Sequence, residues 1–159
     1  LTTENYFPSR LQEIPNCPGT AEKISLENLP LLFPLDTQPK GKPFVSKLKE
    51  NILGIGLVAP LICVTIPKEW DKLKKYPKNM EPGSFYYNRV KYRLSVIKED
   101  TSLWDVEEKV YVWIGNQRVT VLKELGATHT DAIILPFSGI PKIRKFLSAS
   151  SKIWKDING

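Results

Sequence analysis

The chain has 159 residues, 42% hydrophobic and 25% charged, with 23 basic against 17 acidic side chains and a formal charge of +6. That length suffices for one domain with a real core, and no apolar run approaches the ~20 residues needed to span a bilayer. The basic excess favours an anionic partner such as nucleic acid or a nucleotide, and with no such run no membrane partner is expected.

The longest apolar stretch, ILGIGLVAPLICVTI, is broken by two glycines and a proline. The N-terminus lacks a charged start followed by an apolar core, so no signal peptide is read, and Leu1 in place of Met points to a trimmed start. The two cysteines, Cys17 in a loop and Cys63 in an apolar run, show neither a disulfide framework nor a zinc spacing, and a cytoplasmic location is expected. The lone histidine, His129, reads as a loop residue after a helix.

Residues 1–22 are rich in proline and polar side chains and read as an irregular arm with apolar anchors at Tyr6, Phe7, Leu11 and Ile14; residues 23–159 read as a single domain. Ile24 and Leu26 alternate as in a short strand, with a turn near Pro30. Phe44, Val45, Leu48 and Ile52 have helical spacing, and Gly54 or Gly56 ends that helix. LVAPLICVTI is rich in β-branched residues and suits a strand covered on both faces.

The segment at about 67–108 reads as a strand-rich insertion. Its centre, SFYYNRVKYRLSVIKED, has the aromatic and β-branched content of a hairpin turning near Asn88 or of one long bent strand. Trp70, Tyr76, Phe85, Tyr86, Tyr87, Tyr92 and Trp104 interleave with Lys72, Lys74, Lys75, Lys78, Arg89, Lys91 and Arg93. Such a mixture can stack and neutralise a single strand, but the favoured reading packs the aromatics on the core and leaves the charges in water. A protein-partner surface is a further reading of this insertion.

A strand closes at Tyr111–Ile114, and a helix follows with Val119, Leu122 and Leu125 on one side and Gly126 as its C-cap. TDAIILP is the next buried strand, and residues 138–157 read as a final amphipathic helix with Ile140, Ile143 and Leu147 inward. Strands and helices alternate, so the expected class is α/β or α+β, a mixed sheet with flanking helices.

The chemistry concentrates at Gly115-Asn116-Gln117-Arg118. The first N–H groups of a helix lack internal partners and carry the positive end of its dipole. Glycine permits close approach, and arginine offers a fork of donors that fits phosphate. Together they can bind a phosphate; the rival reading is a capped turn with Arg118 on the surface. Asp36, Glu99, Asp100, Asp105, Glu107 and Glu108 are the acidic candidates, and nothing in their spacing demands a metal.

Gln38-Pro39-Lys40 followed by Leu48, Ile52, Gly56, Pro60, Leu61 and Val64, then Gly115, Arg118 and Leu125-Gly126, resembles the ParB/sulfiredoxin-like superfamily. There a QPR turn leads to a helix, a G-x-x-x-P-[LI]-x-V strand, and a strand ending in G-x-x-R at a helix start. The resemblance covers residues 24–66 and 109–136 and implies a ParB-like domain binding a nucleotide or nucleic-acid phosphate. The implied site is Thr37, Gln38, Lys40, Gly115, Asn116, Gln117 and Arg118, with a nucleoside triphosphate and its Mg²⁺ as the ligand.

The chain departs from the family's pattern in specific places. It lacks the glutamate and second arginine of the partition proteins' G-E-R-R, which puts CTP clamping in doubt. It also lacks the cysteine of the sulfiredoxins' G-C-H-R, which argues against cysteine repair. Room remains for one helix after the last strand, so a stand-alone domain without a helix-turn-helix region is expected, acting in DNA transactions of a phage or mobile element. A nuclease or small-molecule phosphotransferase, with Asp36 or Glu108 as base or metal ligand, is the enzymatic alternative; a non-catalytic protein-interaction module is the third.

Overall fold

The computed structural model describes residues 3–15, 17–32, 41–73 and 85–139. The elements run β1 (Tyr6–Phe7), β2 (Glu22–Ser25), α1 (Gly41–Ile55), β3 (Leu61–Pro67), α2 (Phe85–Glu99), β4 (Glu108–Ile114), α3 (Asn116–Glu124) and β5 (His129–Pro136). Short 3-10 turns lie at Trp70–Leu73, Thr101–Asp105 and Phe137–Gly139.

One mixed sheet organises the molecule. β3 lies between β4, which is antiparallel to it, and β5, which is parallel. β1 pairs parallel and β2 antiparallel with β5, and both meet it at His129 and Thr130. A residue has only two ladder edges, so β1 and β2 flank the start of β5 on opposite sides. The class is mixed α/β, as its alternating pattern implies.

β3 is central because LICVTIP can be buried on both faces. Ile62, Val64 and Ile66 point into one apolar cluster with Tyr111, Trp113, Ile133 and Leu135. Leu61 and Cys63 point into the other, with Val112 and Ala132. Period-two alternation thus feeds two cores from one strand. α2 covers the first core through Val90 and Ile97. α1 and α3 cover the second, through Leu48 and Ile52 and through Val119, Val121 and Leu122.

α1 ends where expected. Gly56 takes a positive φ of 84°, and its N–H closes on the Ile52 carbonyl at 2.9 Å. α3 ends in a Schellman motif: Gly126 has φ 82°, the Ala127 N–H reaches Leu122 O at 2.9 Å, and the Gly126 N–H reaches Lys123 O at 3.0 Å. The turn after β2 falls at Glu27–Asn28, slightly earlier than Pro30, with Asn28 at φ 56°. Asparagine tolerates that left-handed conformation better than most residues.

The inserted segment corrects the reading from sequence. Residues 85–99 form a helix, not a hairpin or bent strand. Val90, Leu94 and Ile97 recur at helical spacing on the covered side, while Lys91, Ser95 and Lys98 stay exposed. The aromatic and β-branched content suggested strand, but the tertiary face decided helix, as packing routinely overrides propensity. Arg93 lies inside this layer, its guanidinium carbon 5.2 Å from the centre of the Trp113 ring. Trp70 packs edge-on against Phe137, whereas Trp104 is 63% exposed. The expected division into packed aromatics and solvated charges is therefore reversed at Arg93 and Trp104. The helix expected over 138–157 lies outside the described residues, except for the turn that ends at Gly139.

Candidate functional site

The strand-to-helix junction is built as the local sequence dictates. β4 ends at Ile114 and α3 begins at Asn116, so a single residue turns the chain. That residue, Gly115, has φ 106° and ψ 22°. Its carbonyl accepts the first helical bond, from the Val119 N–H at 3.0 Å. A side chain there would meet a wall: a Cβ on Gly115 would lie 2.5 Å from Leu61 Cδ2 and 3.0 Å from Arg118 Nη2. Glycine is required twice over, by conformation and by space.

Arg118 differs from both sequence readings of its side chain. It is 3% exposed, not a surface residue, and its fork turns inward. Nη1 donates to Ala59 O at 2.7 Å and to Pro60 O at 3.3 Å. Those carbonyls belong to the loop between α1 and β3, so Arg118 ties the first turn of α3 to the start of the central strand. Burial draws the guanidinium down to about 10, still charged at neutral pH.

Asn116 is also buried, and its amide donates to Trp113 O at 3.3 Å, bracing the end of β4. Gln117 is half-buried. Gly115, Asn116, Gln117 and Arg118 therefore come together at one junction. Thr37, Gln38 and Lys40, and with them the juxtaposition of Lys40 and Arg118, lie outside the described residues, as does Asp36.

The acidic candidates serve other ends. Asp100 caps the 3-10 turn through the Ser102 N–H at 3.1 Å. It also accepts from Lys109 at 2.8 Å and from the Tyr111 hydroxyl at 2.6 Å. Glu99, Asp105, Glu107 and Glu108 are exposed. Among the described residues no group of three or more His, Cys, Asp or Glu side chains is placed to hold a metal.

His129 is the first residue of β5 and not a loop residue; its Nδ1 lies 2.9 Å from Thr128 Oγ1 and 3.6 Å from Glu4 Oε1. Cys63 is fully buried in β3, and burial pushes its thiol up to about 12, so it is unreactive packing. Both cysteines are free.

Sequence reasoning missed Asp131. It is 1% exposed near the start of β5, yet it carries a carboxylate. The Tyr6 hydroxyl donates to Oδ1, and the Ser9 N–H at 2.8 Å and the Gln12 amide at 3.2 Å donate to Oδ2. An aspartate inside the apolar run DAIIL was the available signal, because a buried carboxylate demands partners.

Burial pushes the Asp131 carboxyl up, but Tyr6, Gln12 and both the N–H and the hydroxyl of Ser9 outweigh it and hold it below the usual range. At Asp100 burial likewise pushes up, and Lys109, Ser102 and Tyr111 pull it well down. A folded-state pKa below the unfolded one stabilises above the unfolded value of about 3.9, and that stability is lost as pH falls through the folded value. Acid titration followed by circular dichroism should therefore show stability falling below about pH 4. Asp100→Asn should start less stable at neutral pH and flatten that acid limb. An acid limb of unchanged steepness would remove Asp100 from the account.

Against known proteins the chain has no match: no family model, no curated protein and no solved structure corresponds to it. Among the described residues no helix is long and apolar enough to cross a membrane.

Proposed function

We propose that the chain is a ParB-like domain that receives a phosphate of a nucleotide or nucleic acid at the start of α3. The observation that carries this reading is the one-residue junction at Gly115, where a helix starts directly from a buried strand. The first helical bond runs from the Val119 N–H to the Gly115 carbonyl, so Asn116, Gln117 and Arg118 form the first turn, at the positive end of the helix. The helix dipole favours an anion there, and the basic balance of the chain suits one.

Arg118 acts in this reading as the internal anchor that fixes the junction, not as the phosphate fork. Recognition falls to backbone N–H groups and Gln117, joined by Thr37, Gln38 and Lys40 as the family resemblance implies. A triphosphate brings its own Mg²⁺. The setting is the cytoplasm, where two free cysteines are ordinary, in DNA transactions of a phage or mobile element. The burial of Arg118 favours one rival, a non-catalytic interaction module, because it withdraws the strongest anion donor from solvent.

Gln117→Glu separates the two. A carboxylate in the first turn suits the helix dipole and keeps the fold, but it repels a phosphate. Thermal shift and titration with the four nucleoside triphosphates, with and without Mg²⁺ and DNA, should show binding that weakens roughly ten- to a hundredfold in the variant, from a charge-assisted contact of about 1.5–3 kcal/mol. Low salt is needed, since phosphate contacts weaken as salt rises. Equal binding by parent and variant would leave the interaction module as the reading, and Mg²⁺-dependent turnover would move it to the enzyme.

A further inference from the structure

The N-terminal arm touches both ends of α3, directly at one and through a loop at the other. At the C-terminal end, the Asn5 side-chain amide donates to Gly126 O at 3.0 Å, and the Thr128 N–H donates to Asn5 O at 2.8 Å. At the other end the arm runs along the loop between α1 and β3. Ser9 bridges to Leu57, the Arg10 N–H reaches Leu57 O at 3.0 Å, and the Leu11 N–H reaches Val58 O at 2.9 Å. The Arg10 guanidinium also donates to Ile55 O. The next two carbonyls of that loop, Ala59 and Pro60, are the ones Arg118 holds.

These contacts close a ring: arm, loop 55–60, Arg118, α3, its C-terminal cap, and back to Asn5. The midpoint of the arm is pinned to the sheet by Asp131, through Tyr6, Ser9 and Gln12. The pinned piece is residues 4–12: beyond it Ile14 is buried in the first core, and within it Phe7 packs against the second. β1 has two residues and pairs with two of β5, and its neighbours Glu4, Asn5, Arg10 and Leu11 are exposed. Segments with few buried apolar contacts open at a lower free energy than the core, so residues 4–12 are placed to open before Ile14 and the strands β3, β4 and β5.

We propose that the arm is a strap that controls the order of the α3 start. Docked, it holds loop 55–60 against Arg118 and keeps the Gly115 junction in one arrangement. Detached, it frees that loop and loosens the anchor that fixes the first turn of α3. The two states of the strap supply the two-state element that coupling between distant positions requires. The coupling concerns the order of the junction and holds whichever ligand uses it. It is also reciprocal: loosening the anchor must loosen the strap.

Amide hydrogen exchange on the full chain, read residue by residue by NMR, tests this. Asp131→Asn removes the charged acceptor and presents an amide donor to the strap's donors. Exchange at the amides of Arg10 and Leu11 should rise, and exchange at Gly56 and Val119 should rise with it by about five- to a hundredfold, the usual range of coupling. The amides of Val64 and Tyr111 in the core should keep their rates. Should Asp131→Asn fail to fold, Tyr6→Phe removes one donor and keeps the ring, and the same comparison applies. In the reverse direction, Arg118→Lys should speed exchange at Arg10 and Leu11. Faster exchange confined to residues 4–12 would overturn the proposal, as would an Arg118→Lys variant whose arm amides are unchanged.

Discussion

Arg118→Ala should lower the stability of the protein by about 2–4 kcal/mol, seen as a reduced urea midpoint at unchanged slope. The substitution leaves the Ala59 and Pro60 carbonyls without the guanidinium that serves them. A buried acceptor left unsatisfied costs about 1–3 kcal/mol, and the empty volume of the side chain adds to it. Relief from burying a charge works the other way, which keeps the expected loss below the sum. A surface arginine would change stability by less than about 0.5 kcal/mol. A loss that small would mean that Arg118 does not hold the loop in solution. Because the fold itself responds, Arg118→Ala is a poor reporter of phosphate binding, and Gln117→Glu is the better one.

Gly115→Ala should be about as damaging, for a different reason. An L-residue in the left-handed region costs roughly 1–2 kcal/mol, and φ 106° lies beyond the comfortable part of it. The new methyl would also stand 2.5 Å from Leu61 Cδ2, in a strand residue that is fully buried and cannot easily retreat. Overpacking of this kind costs about 1–3 kcal/mol, so a total near 3 kcal/mol is expected. The same methyl would lie 3.0 and 3.2 Å from two guanidinium nitrogens of Arg118. The two substitutions must therefore couple. Gly115→Ala should cost less in the Arg118→Ala background, by 0.5 kcal/mol or more as neighbouring sites show, with the Leu61 contact as the remainder. Strict additivity in a double-mutant cycle of urea unfolding would show that the methyl strains the backbone and Leu61 alone.

The junction also shows what the family-like pattern carries. Gly115 and Arg118 are paired in sequence because they are paired in space: the glycine leaves the room that the arginine side chain crosses on its way to the loop. Architecture alone thus accounts for a glycine followed three positions later by an arginine in this chain. The phosphate reading rests on the helix start and its backbone donors.

By itself the sequence determined the elements whose signals are local. Residues 61–67 are apolar and β-branched enough to be buried on both faces, and they form the central strand. Gly56 and Gly126 end α1 and α3 because only a residue without a side chain enters the left-handed region freely. The turn of β4 into α3 at Gly115 was legible for the same reason. Tertiary structure decided the rest. The aromatic and β-branched run at 85–99 is compatible with strand or helix, and an available core face for Val90 and Ile97 made it a helix. Whether Arg118 faced water or the interior depended on the distant carbonyls of Ala59 and Pro60, which no local pattern announces. Asp131 finds its partners more than a hundred residues away in the arm, so sequence could say that the carboxylate needed donors, and only the fold could say which.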